Sequence, residues 1–161
     1  MEISPSFARQ LAEDGFEYIG TYEIHENAFK IQFPDEKVRS WRLPLYTFVS
    51  CVNGGKHLRI GIIPKRTLGA RMREWENDVT RALNERFRPQ GTKRWEVEGW
   101  RAYPEGLLYA QQVVGPTEDE TIKRLKELEK KFQDDDLYNP PLCNNTKAGK
   151  KLKAEWERKN R

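Results

Sequence analysis

The sequence predicts an α+β fold, in which a small central antiparallel sheet is flanked by helices and preceded by an N-terminal β extension. Three observations support this prediction. Two pairs of apolar segments are each separated by a short turn sequence, which is typical of antiparallel hairpins. Two longer segments repeat their apolar residues every three or four positions, as amphipathic helices do. Hydrophobic residues make up 37% of the 161 residues, which is enough for the core of one domain.

The first 44 residues predict a short helix and then a hairpin. The helix covers residues 6–14, and the two strands cover residues 16–24 and 29–33. In the second strand, apolar residues alternate with polar ones, which is the pattern of a half-buried strand. The sequence His25-Glu26-Asn27 supplies the turn. We assign residues 1–44 to a strand-rich N-terminal extension.

A second hairpin begins the central part of the chain, residues 45–146. Residues 45–52 are almost all apolar, and Asn53-Gly54-Gly55 is a strong signal for a tight turn. Residues 57–63 return as a strand. The alternate apolar residues of this strand are expected on one face, and they are Leu58, Ile60 and Ile62.

Two helices and a third strand follow in this central part. Thr67 is a suitable N-cap for an amphipathic helix over residues 68–88, which Pro89-Gln90-Gly91 ends. Residues 106–114 predict the third strand. A capping-box sequence at residues 117–120 then begins a helix that continues to Phe132.

The remaining residues, 147–161, form a basic tail that can become helical but has little with which to pack. Charge is unevenly distributed: residues 56–94 carry a net +7, the tail +5 and residues 118–136 a net −3, on a chain of net +4. Two basic regions favour a partner with a phosphate backbone. The alternative is a solvated surface with a disordered basic tail.

No apolar run approaches the ~20 residues of a membrane span, so we expect no membrane partner. The first residues do not resemble a secretory leader. Cys51 and Cys143 are 92 positions apart, which matches neither a disulfide framework nor a zinc site. We therefore expect a cytoplasmic protein with reduced cysteines.

Glu129 is the most informative single residue. The apolar residues of its helix share one third of the circumference, and Glu129 lies within that arc, whereas Glu127 faces solvent. A carboxylate on a buried face is unfavourable unless it is paired or holds a metal. The alternatives are a carboxylate that extends to solvent from the edge of the stripe, or a partner for a buried arginine.

Arg71 and Tyr46 are the other candidates that the pattern suggests. Arg71 lies beside the apolar stripe at the start of its helix, where it could hold a phosphate or simply cover Trp75. Tyr46 lies in an apolar strand, where most tyrosines are core residues with a satisfied hydroxyl.

Five segments follow one another along the chain: Leu45-Tyr46-Thr47, Arg59-Ile60-Gly61, Leu68-Gly69-Ala70-Arg71, Glu127 to Phe132, and Asn139 to Asn144. Taken together, they resemble the GIY-YIG nuclease superfamily, and most closely its phage endonuclease II type. The resemblance covers roughly residues 45 to 145. Among the departures from the family pattern, Arg59 stands where the second motif has a tyrosine.

The resemblance implies Mg²⁺-assisted hydrolysis of a DNA phosphodiester with one divalent cation per site. Tyr46 would deprotonate or orient the attacking water, and Arg59 or Lys65 would supply a positive field. Arg71 would stabilise charge on the phosphate. Glu129 would hold the Mg²⁺, and the remaining family position, Asn144, would fix the phosphate or the Tyr46 hydroxyl.

The same reasoning makes double-stranded DNA the expected partner, with Lys65, Arg66, Arg73 and Arg81 on its phosphates. Because one small site cuts one strand, double-strand cleavage by a phage or restriction enzyme would need a homodimer or larger assembly. The replaced second tyrosine leaves open a catalytically weak or inactive DNA-binding relative. A small structural or RNA-binding protein with a basic face is a further alternative.

Overall fold

The structure, a computed structural model, describes residues 2–113 and 115–161, and it confirms the α+β fold. Five strands form one antiparallel sheet within the described residues: β1 (Glu17–His25), β2 (Ala28–Gln32), β3 (Pro44–Ser50), β4 (Lys56–Ile62) and β5 (Glu105–Gln112). The same residues form five α-helices: α1 (Pro5–Glu13), α2 (Leu68–Leu83), α3 (Arg94–Ala102), α4 (Glu118–Asp134) and α5 (Lys147–Lys159). None of these helices has the length and apolar character that crossing a bilayer requires.

Strand β5 occupies the centre of the sheet, whose order is β2-β1-β5-β3-β4. Both predicted hairpins are confirmed, and β5 joins them because it pairs with β1 on one side and with β3 on the other. In the first turn, Glu26 and Asn27 have φ of 51° and 60°, the left-handed conformations of a tight hairpin turn. Val114, the predicted end of the third strand, lies outside the described residues.

The core consists of two clusters, one on each face of the sheet. The aromatic cluster packs against α2 and α3, and its largest members are Tyr22, Phe29, Tyr46, Phe48, Trp75 and Trp100. The second cluster packs against α1 and α4, and it includes Leu11, Phe16, Leu45, Ile60, Leu125 and Phe132. The alternation of side chains along each strand sends successive residues to opposite clusters.

Strand β4 departs from that alternation, and the prediction that its alternate apolar residues share one face is wrong for Leu58. Phe48 and Val49 of β3 pair with Arg59 and His57, so Leu58 between them is an extra residue, a β-bulge. Leu58 therefore belongs to the aromatic cluster, whereas Ile60 belongs to the second cluster.

Helix α2 has the predicted N-cap, because the Thr67 side chain accepts a hydrogen bond from the Ala70 N–H. The helix ends at Leu83, five residues before the predicted end. Glu85 has φ of 60°, and a residue in this left-handed conformation ends the helical hydrogen-bond ladder. Helix α4 begins at the predicted capping box, where the Thr117 side chain accepts from the Glu120 N–H.

Two elements differ from the sequence analysis. Helix α3 was not predicted, and it buries most of its side chains, including Trp95 and Trp100. The expectation that residues 147–161 have little with which to pack is wrong. They form α5, in which Gly149 is buried and Leu152 packs against the aromatic cluster. Both helices matter for the site because they form two of its walls.

Candidate active site

Three of the predicted catalytic residues surround the indole of Trp75, on α2. The indole Nε1 donates a hydrogen bond of 2.9 Å to the Tyr46 hydroxyl. The guanidinium carbons of Arg59 and Arg71 lie 5.3 and 5.0 Å from the centroid of the Trp75 ring. These distances are those of cation–π contacts. Tyr46 on β3, Arg59 on β4 and Arg71 in the first turn of α2 therefore all contact the Trp75 side chain.

Tyr46 is the innermost of the three, with only 2% of its surface exposed. It pairs across the sheet with Gly61, and its ring occupies the space that a side chain at position 61 would need. A Cβ atom on Gly61 would lie 2.5 Å from the Tyr46 hydroxyl. Because Gly61 has no side chain, the ring of Tyr46 can pack directly over β4.

Arg59 lies on β4, which is the edge strand of the sheet. The β-bulge at Leu58 changes the direction of the side chains that follow, and it turns Arg59 towards Trp75. Arg59 Nη1 donates to the Leu142 carbonyl, and the Leu142 N–H donates to the Leu58 carbonyl at 3.0 Å. The segment around Leu142 therefore covers part of the exposed edge and holds Arg59.

A cleft of about 660 Å³ lies beside this edge. Its walls come from β4, the connection between α2 and α3, the start of α3, α4, residues 143–145 and α5. Arg59, Glu129 and Asn144 all line it, so the fold brings three of the five predicted catalytic residues into one cavity. Tyr46 and Arg71 do not line the cleft, although both contact the Trp75 indole, which Arg59 also contacts.

Glu129 is half-buried on α4, whereas Glu127 is exposed, so the predicted helix phase is confirmed. Burial raises the pKa of the Glu129 carboxyl, and the nearby Arg59 guanidinium, a hydrogen bond from the Ile62 backbone and Lys126 oppose that shift. Glu129 makes no ion pair within 4 Å in the described residues. Its carboxylate is therefore partly desolvated without a close cation.

Glu96 is a second carboxylate in the cleft, and the sequence analysis missed it. It lies in the first turn of α3 and is only 7% exposed. Burial raises its pKa, and Arg59, a hydrogen bond from the Lys93 backbone and the Lys93 side chain oppose the shift. In the sequence, this helix was indicated only by the apolar pair Val97 and Trp100, which lie three residues apart. One such pair is too little to predict a helix.

The cleft residues fit a divalent cation that the substrate helps to hold. Within residues 2–113 and 115–161, no group of three or more His, Cys, Asp or Glu side chains is placed to enclose a metal ion. Mg²⁺ often uses one or two carboxylates, several waters and substrate phosphates. Glu129 can supply a carboxylate ligand of that kind.

Arg71 and Arg66 share one carboxylate at the start of α2. Arg71 Nη1 lies 2.9 Å from Glu74 Oε2, and Arg66 also pairs with Glu74. The carboxylate therefore holds two guanidinium groups close together on the protein surface. Two adjacent arginines of this kind can contact a phosphate.

The four predicted DNA contacts follow the outer side of α2. Lys65 is exposed, Arg66 pairs with Glu74, and Arg81 lines a surface depression together with Glu74. Arg73 and Arg81 line a second depression towards β2. Gln90 and Gly91 border both the first depression and the cleft, so this depression, lined by Glu74 and Asp78 as well as Arg81 and Arg88, continues into the candidate site.

Comparisons with known proteins support the fold. No family model and no curated protein sequence matches the chain. A solved structure with a similar fold is that of the restriction endonuclease HPY188I in complex with product DNA. The two chains are 14% identical, the similarity covers 83% of each, and the TM-score is 0.50. At this identity the similarity concerns the arrangement of helices and strands.

Proposed function

We propose that the protein is a Mg²⁺-dependent DNA endonuclease of the GIY-YIG type. The observation that carries the proposal is that Arg59, Glu129 and Asn144 meet in one cleft. They come from three separate parts of the chain, and the cleft adjoins the indole that contacts Tyr46 and Arg71. The similar fold of a restriction endonuclease that was solved with product DNA supports the same activity.

In this proposal the positively charged groups of the site act on the scissile phosphate. Arg71 stabilises the charge that develops on the phosphate, and Arg59 adds a positive field beside it. Glu129 holds the divalent cation, which supplies Lewis-acid polarisation when it is bound. Asn144 is exposed in the cleft, so we assign it to the phosphate rather than to the buried Tyr46 hydroxyl. Tyr46 orients or deprotonates the attacking water from the side of Trp75.

The proposed partner is double-stranded DNA, whose phosphates would contact Lys65, Arg66, Arg73 and Arg81 along α2. The exposure of Lys65 and Arg66 just before α2, and the depression lined by Arg81 that borders the cleft, support that placement. We further propose a homodimer or larger assembly, because each site cuts one strand. A restriction or phage enzyme would fit this activity.

A second candidate function is DNA binding with weak or no cleavage. Two observations favour it: Tyr46 is 2% exposed and already accepts a hydrogen bond from Trp75, and Arg59 replaces the second tyrosine of the family pattern. A water molecule can reach the Tyr46 hydroxyl only if Trp75 or its neighbours move.

Cleavage of supercoiled plasmid tests the proposal. Wild-type protein should nick or linearise the plasmid with Mg²⁺ and should not do so with EDTA. Glu129→Gln should fold normally and lose about 10³-fold or more in rate, because it loses several kcal/mol of charge stabilisation at the metal. Glu127→Gln is the matched control on the same helix, and its exposed position predicts a near-normal rate.

The outcomes separate the alternatives. Wild-type protein that binds plasmid but leaves it intact with Mg²⁺ would support the DNA-binding relative. Equal loss of cleavage in both variants would contradict the assignment of Glu129. Loss of folding in Glu129→Gln would instead show that the Glu129 carboxylate is needed for the fold.

A further inference from the structure

Two tryptophans line the cleft, and the proposed function uses neither of them. Trp95 comes from the first turn of α3, and Trp156 comes from α5. Trp95 is 5% exposed, whereas Trp156 keeps a larger part of its surface in solvent. Among the described residues, neither ring belongs to the two core clusters. These large side chains therefore form part of the cleft wall without joining the hydrophobic core.

Trp156 lacks the contacts that hold a core tryptophan in place. Trp75, for comparison, donates a hydrogen bond to Tyr46 and packs against the rings of Phe48 and Trp100. Across residues 2–113 and 115–161, the indole N–H of Trp156 makes no hydrogen bond, and no aromatic ring or cation lies against its ring. Its exposed part is therefore available to a ligand that enters the cleft.

The cleft carries an excess of positive charge. Four cations and two carboxylates line it, so its net charge is +2 when both carboxylates are ionised. The six side chains are Arg59, Lys93, Arg94, Lys153, Glu96 and Glu129. Burial raises the pKa of both carboxyl groups, and protonation of either group would make the cleft still more positive. An anionic ligand such as a phosphate complements this charge.

Within the described residues, Lys153 is the cleft cation that has no protein partner. Arg59 and Lys93 each donate to a backbone carbonyl, and Arg94 lies 3.3 Å from a carboxylate oxygen of Glu85. Lys153 makes no such contact in the part of the chain that the structure describes. Because Lys153 precedes Trp156 by three positions, the two side chains lie on one face of α5.

The size of the cleft limits what can enter it. Cavities of about 300 to 1,000 Å³ hold small-molecule ligands, and the cleft has a volume of about 660 Å³. A stacked duplex is too large for such a cavity, whereas a single base that has left the stack fits. The face of such a base can stack on an aromatic side chain. Carboxamides that can bond the edge of a base also line the cleft, on Gln133, Asn144 and Asn145.

We propose that Lys153 and Trp156 form a subsite for one nucleotide that is turned out of the DNA duplex. Trp156 stacks on the base, and Lys153 pairs with an adjacent phosphate. The inference rests on the proposed function for the choice of DNA as the ligand. It goes beyond that function because hydrolysis of a phosphodiester within paired DNA requires no contact with an unstacked base.

Binding to two short labelled duplexes tests the stacking contact. One duplex carries a single unpaired thymidine, and in the other an abasic residue replaces that nucleotide. Fluorescence anisotropy is measured in EDTA, so that neither metal binding nor cleavage contributes. Wild-type protein should bind the thymidine duplex about tenfold more tightly, which is within the strength of one base stacked on an aromatic ring.

Substitutions at Trp156 separate stacking from a structural role. Trp156→Leu should bind the two duplexes equally, because leucine offers no aromatic face. Trp156→Phe retains such a face and should keep most of the preference. A tryptophan that only supports the fold would change the affinity for both duplexes alike, and the ratio of the two affinities would remain that of wild type.

Lys153 should give a different result, because it contributes charge and no stacking. Lys153→Gln should weaken binding to both duplexes and lower the slope of log affinity against log salt concentration by about one. The preference for the thymidine duplex should remain. Lys150→Gln is the matched control, since Lys150 is exposed on the same helix and does not line the cleft, and it should leave the slope unchanged.

Three results would overturn the inference. They are equal affinity of wild-type protein for the two duplexes, a wild-type preference in Trp156→Leu, and a salt slope in Lys153→Gln that equals the slope in Lys150→Gln. The first measurement needs no variant, so it decides the question even if Trp156→Leu does not fold. Failure of the proposed function looks different: the thymidine duplex would be preferred while plasmid remained uncut with Mg²⁺.

Discussion

At the scale of single residues, His57 is a buried histidine that lies away from the cleft. It is 2% exposed, and its Nδ1 lies 2.8 Å from the Thr47 Oγ1. The ring packs against Phe7 and Tyr138, with centroids 5.1 and 4.1 Å away. Burial lowers the pKa of His57 from 6.5 to about 3. The folded protein therefore keeps this histidine neutral at pH values at which the unfolded chain protonates it.

This difference in the pKa of His57 between the folded and unfolded states predicts that the protein becomes less stable in acid. The pKa of His57 is lower in the folded protein than in the unfolded chain. The contribution of His57 to the free energy of unfolding is therefore fully present above pH 6.5 and is lost progressively as the pH falls towards 3. Between pH 7 and pH 5, His57 should account for a loss of about 2 kcal/mol in the free energy of unfolding. Urea denaturation of wild-type protein and His57→Gln at both pH values measures the difference.

A second histidine provides the control for this measurement. His25 has a side chain that is 79% exposed, so His25→Gln should retain the wild-type loss between pH 7 and pH 5. His57→Gln should lose about 2 kcal/mol less than wild type over this interval. An identical loss in His57→Gln and wild type would show that another group carries the acid sensitivity.

At the scale of elements, α5 depends on a close approach between two backbones. Thr146 is its N-cap, accepting from the Gly149 N–H at 3.0 Å and donating to the Pro140 carbonyl at 2.6 Å. A Cβ atom on Gly149 would overlap the Cys143 carbonyl oxygen. Because α5 carries Lys153 and Trp156 into the cleft, this contact also positions one wall of the candidate site.

Gly149→Ala should therefore destabilise the protein although alanine favours helices. Backbone atoms must move to accept the methyl group, and overpacking of this kind typically costs about 1–3 kcal/mol. The midpoint of urea denaturation should fall accordingly. Lys150→Ala is the neighbouring control, since Lys150 is exposed, and it should change stability by less than about 0.5 kcal/mol. A Gly149→Ala variant as stable as Lys150→Ala would contradict the packing described for α5.

At the scale of the whole molecule, positive charge concentrates in one part of the chain, from Lys56 to Arg94. The chain carries a net +4, yet residues 56–94 alone carry +7. Helix α2 itself carries three arginines and three acidic residues, so the excess lies in β4 and in the connections on either side of α2, where Lys65, Arg66, Arg86 and Arg88 are exposed. Binding of duplex DNA to such a surface releases counterions and therefore depends strongly on salt.

Removal of phosphate contacts should reduce the salt dependence of DNA binding. Each lost phosphate contact should lower the slope of log affinity against log salt concentration by about one. Lys65→Gln together with Arg73→Gln should therefore lower it by about two, measured by fluorescence anisotropy on a labelled duplex. Arg9→Gln, an exposed change on α1, should leave the slope unchanged. If the double variant keeps the wild-type slope, the surface along α2 is only a solvated face.

Local pattern was enough to predict the two hairpins, the starts of α2 and α4 and the orientation of Glu129. Turn sequences such as Asn53-Gly54-Gly55 and capping residues such as Thr67 act over a few positions, so the sequence displays them directly. The apolar repeat of α4 likewise sets which carboxylate faces inwards, because helix geometry relates residues three and four apart. These features depend on neighbours along the chain.

Only the tertiary structure decided α3, the bulge at Leu58, the docking of α5 and the presence of Glu96 in the cleft. Helix α3 spans only nine residues, and the apolar repeat of so short a segment is too brief to identify a helix from sequence. The bulge depends on pairing between two strands, and α5 depends on Gly149 approaching a distant carbonyl. Arg59, Glu96 and Glu129 come from three elements, and long-range packing alone determines that they line one cleft.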